Sequence, residues 1–421
     1  MDGIKNLTAE ASVPQKRVMH LDINAYFATV LQQENPALRG KPVGVLKSAG
    51  RSCVIAASKE AKALGVKTGE LLSEARRKAP DLITVPAQFD VYLSCTHALK
   101  KLFTQVAPTV DFFSLDEAFF DMTDCRTFAP DLITYGKHLQ ERVKNTLGEW
   151  VTCNVGIAWN KLLAKMTSEV SPKGSVTEVT DENLDQLLAS TPFSSVCGVG
   201  HRLEKRLQRL GVHTPLMINL IDDETLEQSF GPFWSKQLRL IGLGQEPHFF
   251  THERQVPHMQ SVGRTITGYR LEDNEDAIKR VVLNLLEEAT YKVRNMQLAG
   301  RKVGIALWGH DQFWSAHRTL KYWVQHTAEI FPIIYDELYR PWRRSFPIIK
   351  FGVWVSGLQP LVTVQPSLLP EAAKRERVSR ALDAVNDRFG RFTLMPAALL
   401  GGPVIRPEVT GFLGDKLYHG L

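Results

Sequence analysis

The chain has 421 residues, 44% of them apolar, enough for about two to four domains with cores of their own. Its formal charge of +6, from 51 basic and 45 acidic side chains, permits a polyanionic partner without requiring one. No apolar run reaches the length of a membrane span or a signal core, and Cys53, Cys95, Cys125, Cys153 and Cys197 stand singly without paired metal-ligand spacing. A membrane protein and a paired-cysteine metal site are set aside, and the expectation is a reduced, cytoplasmic protein.

Taken in chain order, residues 1–16 are polar, and Arg17–Asp22 reads as a short apolar strand followed by a helix capped by Asn24. Residues 36–89 open on the turn-rich Asn35-Pro-Ala-Leu-Arg-Gly-Lys-Pro42 and carry helical patterns at Ser58–Leu64 and Leu71–Lys78. Residues 17–35 and 90–180 mix short strands with helices and read as one α+β layer, into which 36–89 is inserted. Residues 181–244 are helical in period. Residues 245–257 form a polar linker bracketed by prolines. In 258–360 a strand opens at Ser261, a long amphipathic helix spans Asp276–Met296, and further strands follow at Lys302–Trp308 and Ile349–Leu358. The remainder, 361–421, holds a charged helix-like run at Ala373–Phe389 and a Gly- and Pro-rich end.

Asp116 and Glu117 are the most informative residues. They sit in Thr109-Val-Asp-Phe-Phe-Ser-Leu-Asp-Glu-Ala-Phe-Phe-Asp121, an apolar and aromatic frame in which two carboxylates repel each other and lose hydration. A cation held between them and a third acid relieves that cost, and Asp22, at the end of its strand, is the third acid. Oxygen-only ligation favours Mg²⁺ or Mn²⁺ over zinc. Two such ions about 4 Å apart clamp the attacking and leaving oxygens of an in-line phosphoryl transfer.

Both segments match one family in order and wording. His20-Leu-Asp-Ile-Asn-Ala-Tyr-Phe-Ala28 and Ser114-Leu-Asp-Glu-Ala-Phe-Phe-Asp121 resemble the two catalytic motifs of Y-family translesion DNA polymerases. Val54–Gly69 resembles that family's finger segment, Asn154–Lys165 the start of its palm helix, and Ser171-Pro-Lys-Gly174 its Lys-Pro-x-Gly motif. The resemblance runs from about Arg17 to about Leu358.

It implies a multidomain α+β right hand: palm (17–35 and 90–180), fingers (36–89), thumb (181–244), linker (245–257) and a little finger of sheet and helices (258–360). It also implies roles. Asp22 and Asp116 would bridge two Mg²⁺ ions, with Glu117 on the primer side and the Ile23 carbonyl as a further ligand. Tyr26 and Phe27 occupy the family's aromatic pair, with Phe27 the steric gate under the incoming sugar and Tyr26 the better candidate for core. Lys59, Lys62 and Lys173 would meet the dNTP triphosphate.

Val196–Val212 resembles a helix-hairpin-helix element. Gly198 and Gly200 would open its helix to phosphate oxygens, and Arg202, Lys205, Arg206 and Arg209 add charge. Lys302, Arg318 and Lys321 would face DNA from the little finger. The implied partners are primer-template DNA, dNTPs and a sliding clamp, although the C-terminus carries no recognisable clamp-docking peptide; the implied state is a monomer.

Four departures stand out. Lys59 and Lys62 replace a Tyr and an Arg, and a lysine cannot make a bidentate fork on phosphate. Ser171 replaces the usual lysine, leaving Lys173 two residues on, and Asn24 replaces a common Asp. The expected activity is low-fidelity, low-processivity, template-directed DNA synthesis able to bypass damaged bases. The alternatives are a catalytically silent accessory protein of translesion synthesis and a nucleotide cyclase with a related palm; all three acids are intact, against the first, and a cyclase leaves the thumb and little finger without purpose.

Overall fold

The structure is a computed structural model that describes residues 16–47, 53–251, 259–342, 344–365, 370–402 and 405. The second part of the linker, residues 252–257, lies outside the described residues, as do the first fifteen residues and 406–421. Two compact units are present, within residues 1–253 and within residues 254–410.

The first unit is built on β1 (Val18–Ile23), whose side chains are almost all buried, the mark of a strand covered on both faces. α1 (Tyr26–Glu34) follows at once. Asn24 does not cap it: Ala25 takes the cap position in the left-handed region, at φ 50°, and the Asn24 amide turns to Thr152 and Asn154. Next come β2 (Val43–Leu46), β3 (Val54–Ala57), α2 (Lys59–Ala63), α3 (Leu72–Lys78) and β4 (Ile83–Pro86). Their three short strands form a small sheet in the order β3-β2-β4, within the span expected as fingers.

The chain then returns through α4 (Phe89–Phe103), β5 (Thr109–Phe112), β6 (Glu117–Asp121), α5 (Leu132–Leu147), β7 (Cys153–Ala158), α6 (Lys161–Val170) and β8 (Val176–Glu178). The large sheet runs β5-β6-β1-β7-β8, so β1 lies between β6 and β7, antiparallel to both. Gly156 lets α6 lie against this sheet: a Cβ there would stand 2.0 Å from the Ala164 carbonyl oxygen. The helical part follows with α7 (Leu184–Ser190), α8 (His201–Arg209), α9 (Asp223–Gly242) and α10 (His248–Thr251). Gln237, which could be mistaken for part of a docking peptide, is buried with Leu238 in this part.

The second unit comprises β9 (Ser261–Glu272), α11 (Glu275–Asn295), β10 (Leu298–Trp308), β11 (Phe313–Val324), α12 (Thr327–Pro332), a π-helical stretch Ile333–Tyr339 and β12 (Ile348–Ser356). Its sheet order is β11-β10-β12-β9. Val303, Ile305, Leu307, Phe351, Val353 and Val355 point to one face, where α11, α12 and the π-helical stretch complete the core. α13 (Pro370–Phe389) has no buried residue and is tied to α11 by polar contacts, chiefly Asp383 accepting two hydrogen bonds from Arg294 at 2.7 and 2.8 Å.

Gly156→Ala is expected to destabilise the first unit by about 1–3 kcal/mol, because backbone rather than a flexible side chain occupies the space. Denaturant unfolding of the full chain should show a lower midpoint for that transition alone.

Candidate active site

Asp22 stands opposite Glu117 in the β1–β6 register, and the Ile23 N–H donates to the Asp116 carbonyl at 3.1 Å. The pairing thus brings all three sequence-predicted acids to one strand end. Burial pushes the Asp22 carboxyl well above the usual range, and the negative charge of Asp116 adds to the shift. Burial likewise raises Asp116, to about 6, although the Ser114 hydroxyl donates to it at 2.5 Å and favours its anion.

Glu117 behaves in the opposite way. Burial alone would raise it, but the hydrogen bond from His20 and the charge of Lys165 outweigh that and hold it at about 2. Lys165, on α6, forms a close ion pair with Glu117 and a longer one, 3.6 Å, with Glu169. His20 Nε2 lies 3.1 Å from Glu117 Oε2, and its Nδ1 lies 2.7 Å from the Ser168 hydroxyl. Burial keeps this imidazole neutral. The Glu117 carboxylate can only accept, so Nε2 carries the proton and Nδ1 accepts from Ser168.

Among the described residues no three His, Cys, Asp or Glu side chains stand together as a finished metal cage. Glu117 is engaged by a lysine and a histidine, while Asp22 and Asp116 are left as mutually repelling carboxylates. That all-oxygen donor set fits a hard divalent cation.

Phe27 is half-buried and stacks on Tyr92 at 4.4 Å between centroids, with Phe89 edge-on at 6.3 Å. Tyr26 is buried, and its hydroxyl donates to the Tyr92 carbonyl at 2.7 Å and meets Thr96 at 3.0 Å. It therefore supports α4 from the core and has no surface for a nucleotide. Lys59 lies over the Trp150 ring at 4.6 Å and near Glu60, whereas Lys62, one turn further on α2, is exposed.

Lys173 is exposed in the turn after α6, and Asn154 holds that turn. The Asn154 carbonyl oxygen accepts from the Gly174 N–H at 2.7 Å and from the Asn24 amide at 3.2 Å. Its own amide donates to the Ser168 and Ser171 carbonyls at 2.7 and 3.3 Å. Asn24 and Asn154 thus bracket the end of β1 to the Ser171–Gly174 turn.

In the helical part Gly198 has φ 89°, and a Cβ there would run into the Phe249 ring at 2.4 Å, so glycine is required for packing as well as for the turn. Gly200 precedes α8 with open space beside it, and Arg202 and Lys205 are exposed. Arg206 is turned over the Phe230 ring at 4.7 Å.

In the second unit, Lys302 pairs with Thr319 on the sheet face away from the helices, and Lys321 follows on that face. Arg318 does not share it. Its cross-strand partner is the core residue Val303, so register turns it to the helix side, where it pairs with Glu337; this corrects the expectation of a phosphate contact there. Lys165, His20, Ser114 and Asn154 were missed as site residues. A signal existed for His20, since it lies two residues before Asp22 on one strand and so shares its face.

The impB/mucB/samB family pattern matches residues 21–169, and the pattern of that family's C-terminal domain matches residues 259–368. The chain is 32% identical over 412 residues to a DNA polymerase IV of Pelotomaculum thermopropionicum, covering 96% of this chain and 99% of that relative. It is 30% identical over 397 residues to a DNA polymerase IV of Moorella thermoacetica, covering 91% and 96%. A solved Y-family DNA polymerase chimera of Dbh and Dpo4 shares the fold, with a TM-score of 0.69, 23% identity and coverage of 82% of this chain and 99% of that chain.

Because burial raises the Asp116 pKa to about 6, the folded chain binds that proton more tightly than the unfolded chain. Stability is therefore lost as pH rises from about 4 to about 6. In metal-free solution above pH 6, Asp116→Asn should melt higher than the unaltered chain, by about 2–4 °C per kcal/mol recovered. Mg²⁺ should raise the melting temperature of the unaltered chain at pH 7.5 more than at pH 5, and should have little effect on Asp22→Asn with Asp116→Asn. Differential scanning fluorimetry reads all three outcomes.

Proposed function

The chain belongs to the impB/mucB/samB family of Y-family, DNA polymerase IV-type enzymes, and on that premise we propose that it extends primers by two-metal phosphoryl transfer and copies past damaged bases. It is a DNA-directed DNA polymerase, acting on primer-template DNA and dNTPs. The observation that carries the mechanistic reading is the division of the three acids: Asp22 and Asp116 strained toward protonation, Glu117 held ionised by Lys165 and His20.

Asp22, Asp116, Glu117 and the Ile23 carbonyl would hold the Mg²⁺ ions. When bound, these lower the pKa of the primer 3′-hydroxyl and neutralise charge on the triphosphate. Ser114 orients Asp116, and Lys165 and His20 fix the Glu117 carboxylate. Lys62, and Lys173 from the turn bracketed by Asn154, contribute positive charge toward the triphosphate. Phe27, braced by Tyr92, presents a rigid ring to the incoming sugar. Gly200 and the start of α8, with Arg202 and Lys205, grip backbone phosphates without regard to sequence.

The small three-stranded sheet of the fingers offers little surface to test base-pair shape, in keeping with low fidelity and lesion bypass. No helix among the described residues is long and apolar enough to cross a membrane, in keeping with a cytoplasmic, nucleoid-associated enzyme. It would act as a monomer recruited by a sliding clamp.

Primer extension on an undamaged template with Mg²⁺ and dNTPs is the direct test. Asp116→Ala should lower the rate about 10³-fold or more, since several kcal/mol of transition-state charge stabilisation depend on the metal site. Extension at the unaltered rate by Asp116→Ala with Glu117→Ala would overturn the assignment. No addition by the unaltered chain, with DNA binding intact, would favour the accessory role. Phe27→Ala should raise ribonucleotide insertion about 10- to 100-fold relative to dNTPs. Unchanged sugar discrimination would remove Phe27 as the gate.

A further inference from the structure

The sheet of the second unit has one face covered by helices and one open, and the open face is unusual in composition. Lys302, Lys321, Lys350 and His317 lie on it, and Glu272 is the one acid of these four strands. Glu272 pairs with Ile348 at the start of β12, the end of that strand away from Trp354. Lysines on such a face suffice to hold phosphates. They give no reason for Trp308 and Trp354, which lie among them.

Trp354 on β12 pairs with Gly304 of β10 on one side and with Gly263 of β9 on the other. Its indole lies flat on Gly304, where a Cβ would stand 2.2 Å from the ring. Trp308 repeats the arrangement over Gly352, where a Cβ would stand 3.3 Å from its ring, and Lys350 rests over it at 4.6 Å. Both rings are half-exposed. At Gly304 the absence of a Cβ makes room for the Trp354 ring, and at Gly352 Thr265 and the Trp308 ring both approach closely. A cavity of about 510 Å³ adjoins Trp354, and Gln260, Ser261 and Ser356 line it with groups able to meet polar edges, beside Met259 and Leu358.

We propose that Trp354 is a stacking site for an unpaired nucleobase of single-stranded DNA, with the lysines of the same face on the flanking phosphates. A flat aromatic accepts any base because every base has a π face, and alkyl and thioether groups beside it complete an apolar slot. The lysine-bearing surface selects a polyanion as the occupant. The proposal rests on the polymerase reading for its source of unpaired template, and its chemistry is separate from the metal site.

The test measures binding of the full chain, by fluorescence anisotropy, to a duplex that is blunt, has a 5′ thymidine overhang, or has an abasic overhang of equal length. The unaltered chain should prefer the thymidine overhang to the abasic one. Trp354→Ala should weaken the thymidine complex about tenfold, to the abasic level, and leave the blunt and abasic complexes unchanged. Trp354→Phe should keep most of the preference, which also answers a folding defect. Lys302→Ala should weaken all three complexes and reduce the salt slope by about one. Equal effects of Trp354→Ala on all three DNAs, or no effect on any, would overturn the stacking site. Primer extension by the unaltered chain on the same duplexes separates this result from failure of the polymerase reading.

Discussion

The pairing of Glu117 with Lys165 and His20 is the interaction on which the rest of the site depends. Three carboxylates at one buried strand end could not all ionise unaided, because each loses hydration and repels the others. Lys165 removes one of them from that conflict and keeps it charged. Asp22 and Asp116 retain the conflict, which a divalent cation held between them would resolve. A carboxylate pair that is unfavourable by itself would be favourable as a cation receptor, stability given up for binding.

The same pairing ties α6 to β1, and Gly156 permits the close approach that brings Lys165 within reach. The Asn24–Asn154 bracket extends this frame to the Ser171–Gly174 turn. An aspartate at 24 could not donate to the Asn154 carbonyl oxygen, so the neutral amide and its partner belong together. The lysines at 59 and 62 are both exposed, Lys59 with its ammonium over the Trp150 ring, and neither can offer phosphate the bidentate fork of an arginine.

The second unit separates its tasks by sheet face. Branched and aromatic side chains on one face build the core with α11 and α12, and the charged pairs Arg264–Glu288 and Arg318–Glu337 lie on that side. The other face carries lysines, small residues, Trp308 and Trp354. Strand alternation alone produces this division, and it frees one face for a ligand without any loss of core.

Much of this was legible in the chain. An Asp-Glu doublet in an aromatic frame and an Asp at the end of an apolar strand mark a charged site locally, because burial beside like charge has to be offset whatever the surrounding fold. The long helix of the second unit and the strands at Lys302–Trp308 and Ile349–Leu358 were likewise declared by period. What only the tertiary structure decided were the relations between elements. The β1–β6 register set Asp22 against Glu117, the packing of α6 brought Lys165 to that carboxylate, and pairing with Val303 turned Arg318 away from the open face. Asn24 reads locally as a cap, yet a backbone turn at Ala25 sends its amide to residues about 130 positions away. Hydrophobic period and charge are properties of short segments and survive in sequence, whereas register and packing depend on which distant backbone is adjacent, and that is written only in the folded chain.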